Sequence, residues 1–253
     1  MGIPKINVNF DFTTDTRRFW DNYWDFMNGI GRSAVDPDTA SPMLKKYQQI
    51  LWSKELPNGE VMALKAGTGA KYLTWKDFRF GSDSITSSFR YKKNRSLLEQ
   101  VQSCLPDYRR YMENYVRSSY TIGGEIIFPK RHGGINQTRG CNQLISDRWD
   151  RTLECIRKFY NGEESPLYQT LLADKAFFDL FVDFKGYIDF FFLQDCVSKD
   201  YTSVEFYIGN GDFNEYPFPQ SVDQYTLWIE KTLEFVQLRN ERIRKEVEGN
   251  YTE

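Results

Sequence analysis

Residues 121–160 restrict the possible folds of this chain more than any other stretch. Residues 120–128, in Tyr120-Thr-Ile-Gly-Gly-Glu-Ile-Ile-Phe128, read as a strand that Pro129 stops, because proline has no amide hydrogen to donate to a ladder. Ile135-Asn-Gln-Thr-Arg-Gly140 then makes a glycine turn, and a helix is predicted from Ser146 or Asp147 to Tyr160. At about 100° per residue, Ile145, Trp149, Leu153, Ile156 and Tyr160 share one apolar stripe that must face a core.

The polar side of that helix supports two readings. Asp147, Asp150, Arg151, Glu154, Arg157 and Lys158 fall largely away from the stripe. One reading is a solvated face laced by Asp147 with Arg151 and Glu154 with Lys158, each pair stabilising by about 0.2–0.5 kcal/mol. The other is a binding site, in which Arg139 and Asn142 from the turn join Arg148 and Arg157 to hold an anionic ligand near the free amides of the helix start. Asp147 and Asp150 complicate that second reading, since acids in a first turn already complement the helix dipole.

The rest of the chain alternates irregularly between short strands and helices. Ile6, Val8, Phe10 and Phe12 alternate with polar residues and predict an opening strand. Residues 17–28 gather Phe19, Trp20, Tyr23, Trp24 and Phe26 into a short aromatic helix, and residues 42–52 form another. Residues 61–64, 71–75 and 78–80 read as strands of a glycine-punctuated meander. Helices follow from about Asn94 to Pro106 and from Tyr108 onward, then a long phenylalanine-rich helix over residues 166–196, a strand at 204–208 and a last helix to Gly249. Ser221-Val-Asp-Gln224 has the spacing of a capping box at the start of that last helix. Without regular βαβ spacing, the expected class is α+β, mainly helical with a small mixed or antiparallel sheet. With no clear linker, residues 1–253 are expected to form a single domain, with a strand-rich part at 1–90 packed on a helical part at 91–253.

Composition excludes several functions. Aromatic residues make up 17% of the 253 positions, which argues against disorder and for a core built on rings. A net charge of −2 provides no global field for nucleic acid or an anionic membrane. Charge is uneven, however: residues 129–158 carry seven Lys/Arg against three acids, and residues 160–235 carry fourteen acids against four lysines. The four cysteines, Cys104, Cys141, Cys155 and Cys196, lack metal or disulfide spacing, so no metal site or cofactor is expected and a reducing cytoplasm is. The richest apolar stretch, residues 177–193, is interrupted by Asp179, Asp183, Lys185 and Asp189, so no membrane span is expected.

Other chemistries are incomplete in the sequence. His132 is the only histidine and sits in the basic loop Lys130-Arg-His-Gly-Gly134, where it reads as a solvated residue rather than a base. Asp179, Asp183 and Lys185 superficially resemble a nuclease set but lie on a phenylalanine-rich helix. Gly67-Thr-Gly-Ala-Lys71 lacks the frame of a phosphate loop and reads as a hairpin turn. Arg90-Tyr-Lys-Lys-Asn-Arg95 and Tyr108-Arg-Arg-Tyr111 interleave cations with rings, a weak signature of single-stranded RNA binding.

Several of these patterns occur together. Tyr120-Thr-Ile-Gly123 with Ile127-Phe-Pro129, Ile135-Asn136 with Arg139-Gly140 and Asn142, Asp147-Arg148 with Asp150, and Thr152-Leu-Glu-Cys-Ile-Arg157 resemble a bacterial family of intracellular proteins known only as a domain of unknown function. The resemblance extends to Thr14-Asp-Thr16, Leu51-Trp-Ser-Lys54, Leu56-Pro-Asn-Gly59, Ser82-Asp-Ser84, Gly162-Glu-Glu-Ser-Pro-Leu167 and Phe177-Phe-Asp-Leu-Phe-Val-Asp-Phe-Lys-Gly186, and so covers most of the chain. The chain departs from the pattern by Trp149 in place of a phenylalanine and by the aromatic segment that Arg17 and Arg32 bracket. The resemblance supplies no activity. It implies that Arg139, Asn142, Asp147, Arg148, Glu154 and Arg157 belong to a shared design.

The leading functional expectation is binding of a phosphate-bearing ligand, a nucleotide or single-stranded RNA, through Asn136, Arg139, Asn142, Asp147, Arg148, Glu154 and Arg157. Catalytic residues are not identifiable, although Asp147 and Asp150 are conceivable metal or base residues. The competing expectation is a non-catalytic interaction or regulatory component, such as a phage-defence protein, with residues 17–32 as its partner surface.

Overall fold

The computed structural model describes residues 6–27, 35–67, 72–86, 91–139 and 144–249. Within the first of these segments, the alternation at residues 6–12 buries Ile6, Val8 and Phe12 as expected but makes turns rather than a strand. Asn7 Oδ1 accepts from the Asn9 amide and Asp11 Oδ1 from the Thr13 amide, so these side chains take the donors that a ladder would need. Next come α1 (Phe19–Met27), α2 (Pro37–Ala40) and α3 (Pro42–Trp52). Asp36 caps α2 and Ser41 caps α3, each followed by a proline whose missing amide costs nothing at a helix start.

The sheet is antiparallel, in the order β1 (Lys65–Ala66), β2 (Leu73–Trp75), β3 (Phe78–Ser84) and β4 (Glu125–Pro129). The strand expected at 61–64 starts later, and Val61 makes only an isolated bridge to Glu55. Between β3 and β4 run α4 (Tyr91–Cys104) and α5 (Tyr108–Ser119), separated at Pro106 as expected. The expected strand at 120–128 begins only at Glu125, because Ile122–Gly124 coils into a 3-10 turn. Gly124 permits that turn: a Cβ there would lie 1.8 Å from the Ser119 carbonyl oxygen.

Two expectations in the C-terminal half are corrected. The phenylalanine-rich helix is broken into α8 (Tyr168–Ala173), α9 (Lys175–Phe178) and α10 (Phe184–Phe190), following α6 (Ile135–Thr138) and α7 (Trp149–Tyr160). Val182 takes a left-handed φ of 69°, and Asp183 caps α10 by accepting from the Gly186 amide at 2.7 Å. Folding back brings the Phe177 and Phe191 rings to 6.5 Å, where a continuous helix would hold them about 21 Å apart. The strand expected at 204–208 is only one bridge, Val197 to Val204. Its backbone is bound by side chains instead: the Tyr207 amide donates to Asp150, and the Ile208 carbonyl accepts from Arg148.

The last helix, α11 (Val222–Gly249), buries Trp228, Phe235 and Val236, while Leu238 stays exposed. Ser221 Oγ accepts from the Gln224 amide, and Gln224 reaches back to the amide of Gln220, one residue earlier than a standard box. One large apolar cluster gathers the sheet, α3, α7, α10 and α11. A smaller one joins α1, α4, α5 and the first half of α11. Among the described residues no helix is long and apolar enough to cross a membrane.

Candidate functional site

The central polar block proves to be a set of buried struts. Arg139, at the C-cap of α6, is fully buried and donates to Asp83 at 2.5 Å and to the Ser84 carbonyl at 3.0 Å, with Asp147 at 3.0 Å. Arg148, the residue before α7, is 1% exposed. Its guanidinium forks onto Asp150 and also donates to the carbonyls of Pro217 at 2.7 Å and Ile208 at 2.8 Å. Arg151 donates to the carbonyls of Asp212 and Glu215. The polar face of α7 is therefore covered by residues 205–218 rather than solvated, and neither Asp147 with Arg151 nor Glu154 with Lys158 is a pair. Glu154 instead binds Arg157 through two 2.8 Å bonds at the rim, and Lys158 lies 3.7 Å from Glu163. Helix α7 starts at Trp149, and Asp150 already accepts from the Arg151 amide in its first turn, which leaves that end poorly suited to an anion.

Arg239 and Asn240 perform a similar role that no motif flags. Arg239 is fully buried and donates to the carbonyls of Phe191, Gly123 and Glu125 at 2.8–2.9 Å. Asn240 accepts from the Gly123 amide and donates to Thr121. Their signal in the sequence is positional, because Arg239 falls on the stripe of Trp228, Thr232, Phe235 and Ile243, where only apolar or satisfied polar residues are tolerated.

An open cleft of about 180 Å³ lies over β3, lined by Asp36, Asp38 and Thr39 of the α2 turn, Tyr72, Gly81, Ser82, Asp83, Lys130 and Asn136. Asn136 is the one sequence candidate in its wall. Arg139 stands directly behind through Asp83, and Asp147 behind Arg139; Arg148 belongs to the separate Asp150 network, and Glu154 with Arg157 to the rim of α7. Asn142 lies outside the described residues. The Lys45 ammonium reaches Ser82 Oγ and the Asp38 carbonyl, and Ser82 Oγ donates to Gln48 at 2.6 Å. Burial pushes Asp83 up to about 6 against the pull of Arg139. Burial, reinforced by the Asp36 carboxylate at Asp38 and by Asp38 at Glu125, holds both carboxyls well above the usual carboxylate range, and burial lowers Lys45. Perturbed groups clustered at a cleft make it the candidate site.

The remaining sequence candidates are placed plainly. His132 is exposed in a turn. Asp179 pairs with Lys175, Asp183 caps α10 and Lys185 pairs with Asp189, so they form no joint site. Tyr108 is buried, and Arg109 and Arg95 pair with Glu113 and Glu99; Arg90 lies outside the described residues, as do positions 68–71 of the glycine turn. Helix α1 turns its rings onto α5, with Trp24 donating to Glu113 and Arg117 stacked 4.7 Å over Trp20, and residues 28–32 of that segment lie outside the described residues. Cys155 and Cys196 are buried free thiols and Cys104 an exposed one, while Cys141 is not among the described residues. No three His, Cys, Asp or Glu side chains among the described residues form a group able to hold a metal ion.

No curated protein and no solved structure matches the chain. The expected resemblance to a family of unknown function is met over nearly the whole length: the family model matches residues 6–243, and the chain belongs to the family of unknown function DUF6994.

Proposed function

We propose that this chain is a binding protein, an interaction or regulatory component, that recognises its ligand in the cleft over β3 and uses the central arginine block as the frame behind it. The supporting observation is that the Arg139 and Arg148 guanidiniums are enclosed and committed to Asp83, Asp147, Asp150 and the main-chain carbonyls of Ser84, Ile208 and Pro217, while the cleft walls are open. An arginine already forked onto a buried carboxylate has little left to offer a phosphate. A phosphate-bearing ligand, nucleotide or RNA, is the second reading, and it is supported by Lys130, which lies over Gly81 beside Asn136 with no carboxylate partner among the described residues.

Titration with ATP and with a single-stranded RNA oligonucleotide tests the choice. At about 50 mM salt, where phosphate contacts are strong, neither is expected to bind detectably. Saturable binding that Arg148→Lys weakens, with folding intact, would restore the arginine block as the site.

A further inference from the structure

The cleft carries an imbalance of hydrogen-bonding groups. Glu125 at its back is fully buried, and neither of its carboxylate oxygens accepts an N–H or O–H bond among the described residues. Its charged neighbours are Asp38, Asp36 and Lys45. Asp38 Oδ1 and Asn136 Oδ1 are likewise enclosed without a donor. The orientation of the Asn136 amide is set by its nitrogen, which donates to the Ser82 carbonyl at 3.3 Å, so the oxygen is the atom left over.

Among the described residues, the unanswered atoms of the cleft wall and of Glu125 are acceptors, and Arg139 Nε, behind Asp83, is an unpartnered donor beside them. Buried acceptors without donors are costly, and a ligand that brings donors recovers that cost on binding. A phosphate brings negative charge and mainly acceptors and would face Asp36, Asp38 and Asp83, with Lys130 as the one wall cation among the described residues, since Lys45 is already engaged with Ser82 and the Asp38 carbonyl. A cavity of about 180 Å³ is below the roughly 300–1,000 Å³ of sites for drug-sized ligands. It suits a few heavy atoms rather than a nucleotide.

We propose that the cleft binds a small organic ammonium or guanidinium compound, its cationic nitrogen donating to Asp38 and Asn136 with Asp36 at the mouth; this rests on the reading of the cleft as the recognition site. Seating a cation there favours the ionised forms of Asp38 and Glu125, which burial otherwise disfavours. The groups that face this pair are Asp36 from the α2 turn, Lys45 from α3, Asp83 from β3 with Arg139 and Asp147 behind it, Tyr120, and Lys130 beyond β4. Affinity therefore rises with pH, by up to about tenfold per unit for each proton released.

The test is a 1H–15N titration of the full chain with propylamine and methylguanidine, against inorganic phosphate and ATP, between pH 5.5 and 8. Saturable shifts of the Gly81, Ser82 and Asn136 amides with the amines are expected. They should tighten as pH rises and weaken at least tenfold in Asp38→Asn. If Asp38→Asn does not fold, Asn136→Ala should weaken the same binding. Shifts at these amides with phosphate or ATP and none with amines would overturn the proposal yet leave the cleft as the recognition site. No response to any of the four would overturn both. Amine shifts that are unchanged in both variants would also overturn it.

Discussion

Arg148→Ala is expected to lower stability by about 3–5 kcal/mol, the usual cost of stranding a buried charge. The substitution leaves Asp150, 1% exposed, without its guanidinium and removes the donors to the Ile208 and Pro217 carbonyls. Urea unfolding should show a lower midpoint with an unchanged slope. Arg148→Lys should recover only part of the loss, because an ammonium cannot fork across a carboxylate and reach two carbonyls. Arg157→Ala, in the less enclosed pair with Glu154, should cost less, about 1–3 kcal/mol. Equal losses at the two arginines would contradict the strut account.

Phe191→Ala carries a similarly large expected effect, about 3–5 kcal/mol, for a reason unrelated to charge. Its ring is fully buried and lies 4.9–5.2 Å from the rings of Trp52, Phe181, Tyr187 and Phe190. These rings come from α3 and from both sides of the break at Val182, so the aromatic cluster fastens the folded-back segment to the rest of the core. Phe191→Leu should lose less, since much of the cavity is refilled. A change under about 1 kcal/mol for the alanine variant, measured by the same unfolding, would mean that the break is not held by this cluster.

Local rules read the capped elements well. Pro106, Pro129 and the Ser221 box mark boundaries through chemistry confined to one turn, and the helices and strands they delimit form close to where they are expected. The class follows from these, while of the mixed or antiparallel sheet they allow, the fold takes the antiparallel one. Residues 6–12 and 204–208 have strand-like composition, but side chains take part of the backbone a ladder needs: Asn7 and Asp11 bind the Asn9 and Thr13 amides, and Arg148 with Asp150 bind the Ile208 carbonyl and Tyr207 amide. A side chain reaching about sixty positions along the chain leaves no local periodicity.

The candidate site was legible only in part. Asn136, Arg139 and Asp147 do assemble near the cleft, but its acids come from a turn at Asp36 and Asp38 and from β3 at Asp83, with Glu125 of β4 beside Asp38, and these share no spacing. The arginines looked like a site because residue type alone does not distinguish a guanidinium facing solvent from one facing a carbonyl. Covering the polar face of α7 with residues 205–218 is a tertiary event, and only the fold reveals it.

The most direct test of the frame account is the hydrogen exchange of the arginine side chains, followed through their Nε–H resonances by 15N NMR with and without ATP. Arg139 and Arg148 should exchange slowly and keep their positions when ATP is added, while Arg157 at the rim exchanges faster. Rapid exchange at Arg148, or a saturable ATP-dependent shift of its Nε–H, would show that the guanidinium is open to ligand and would contradict the account.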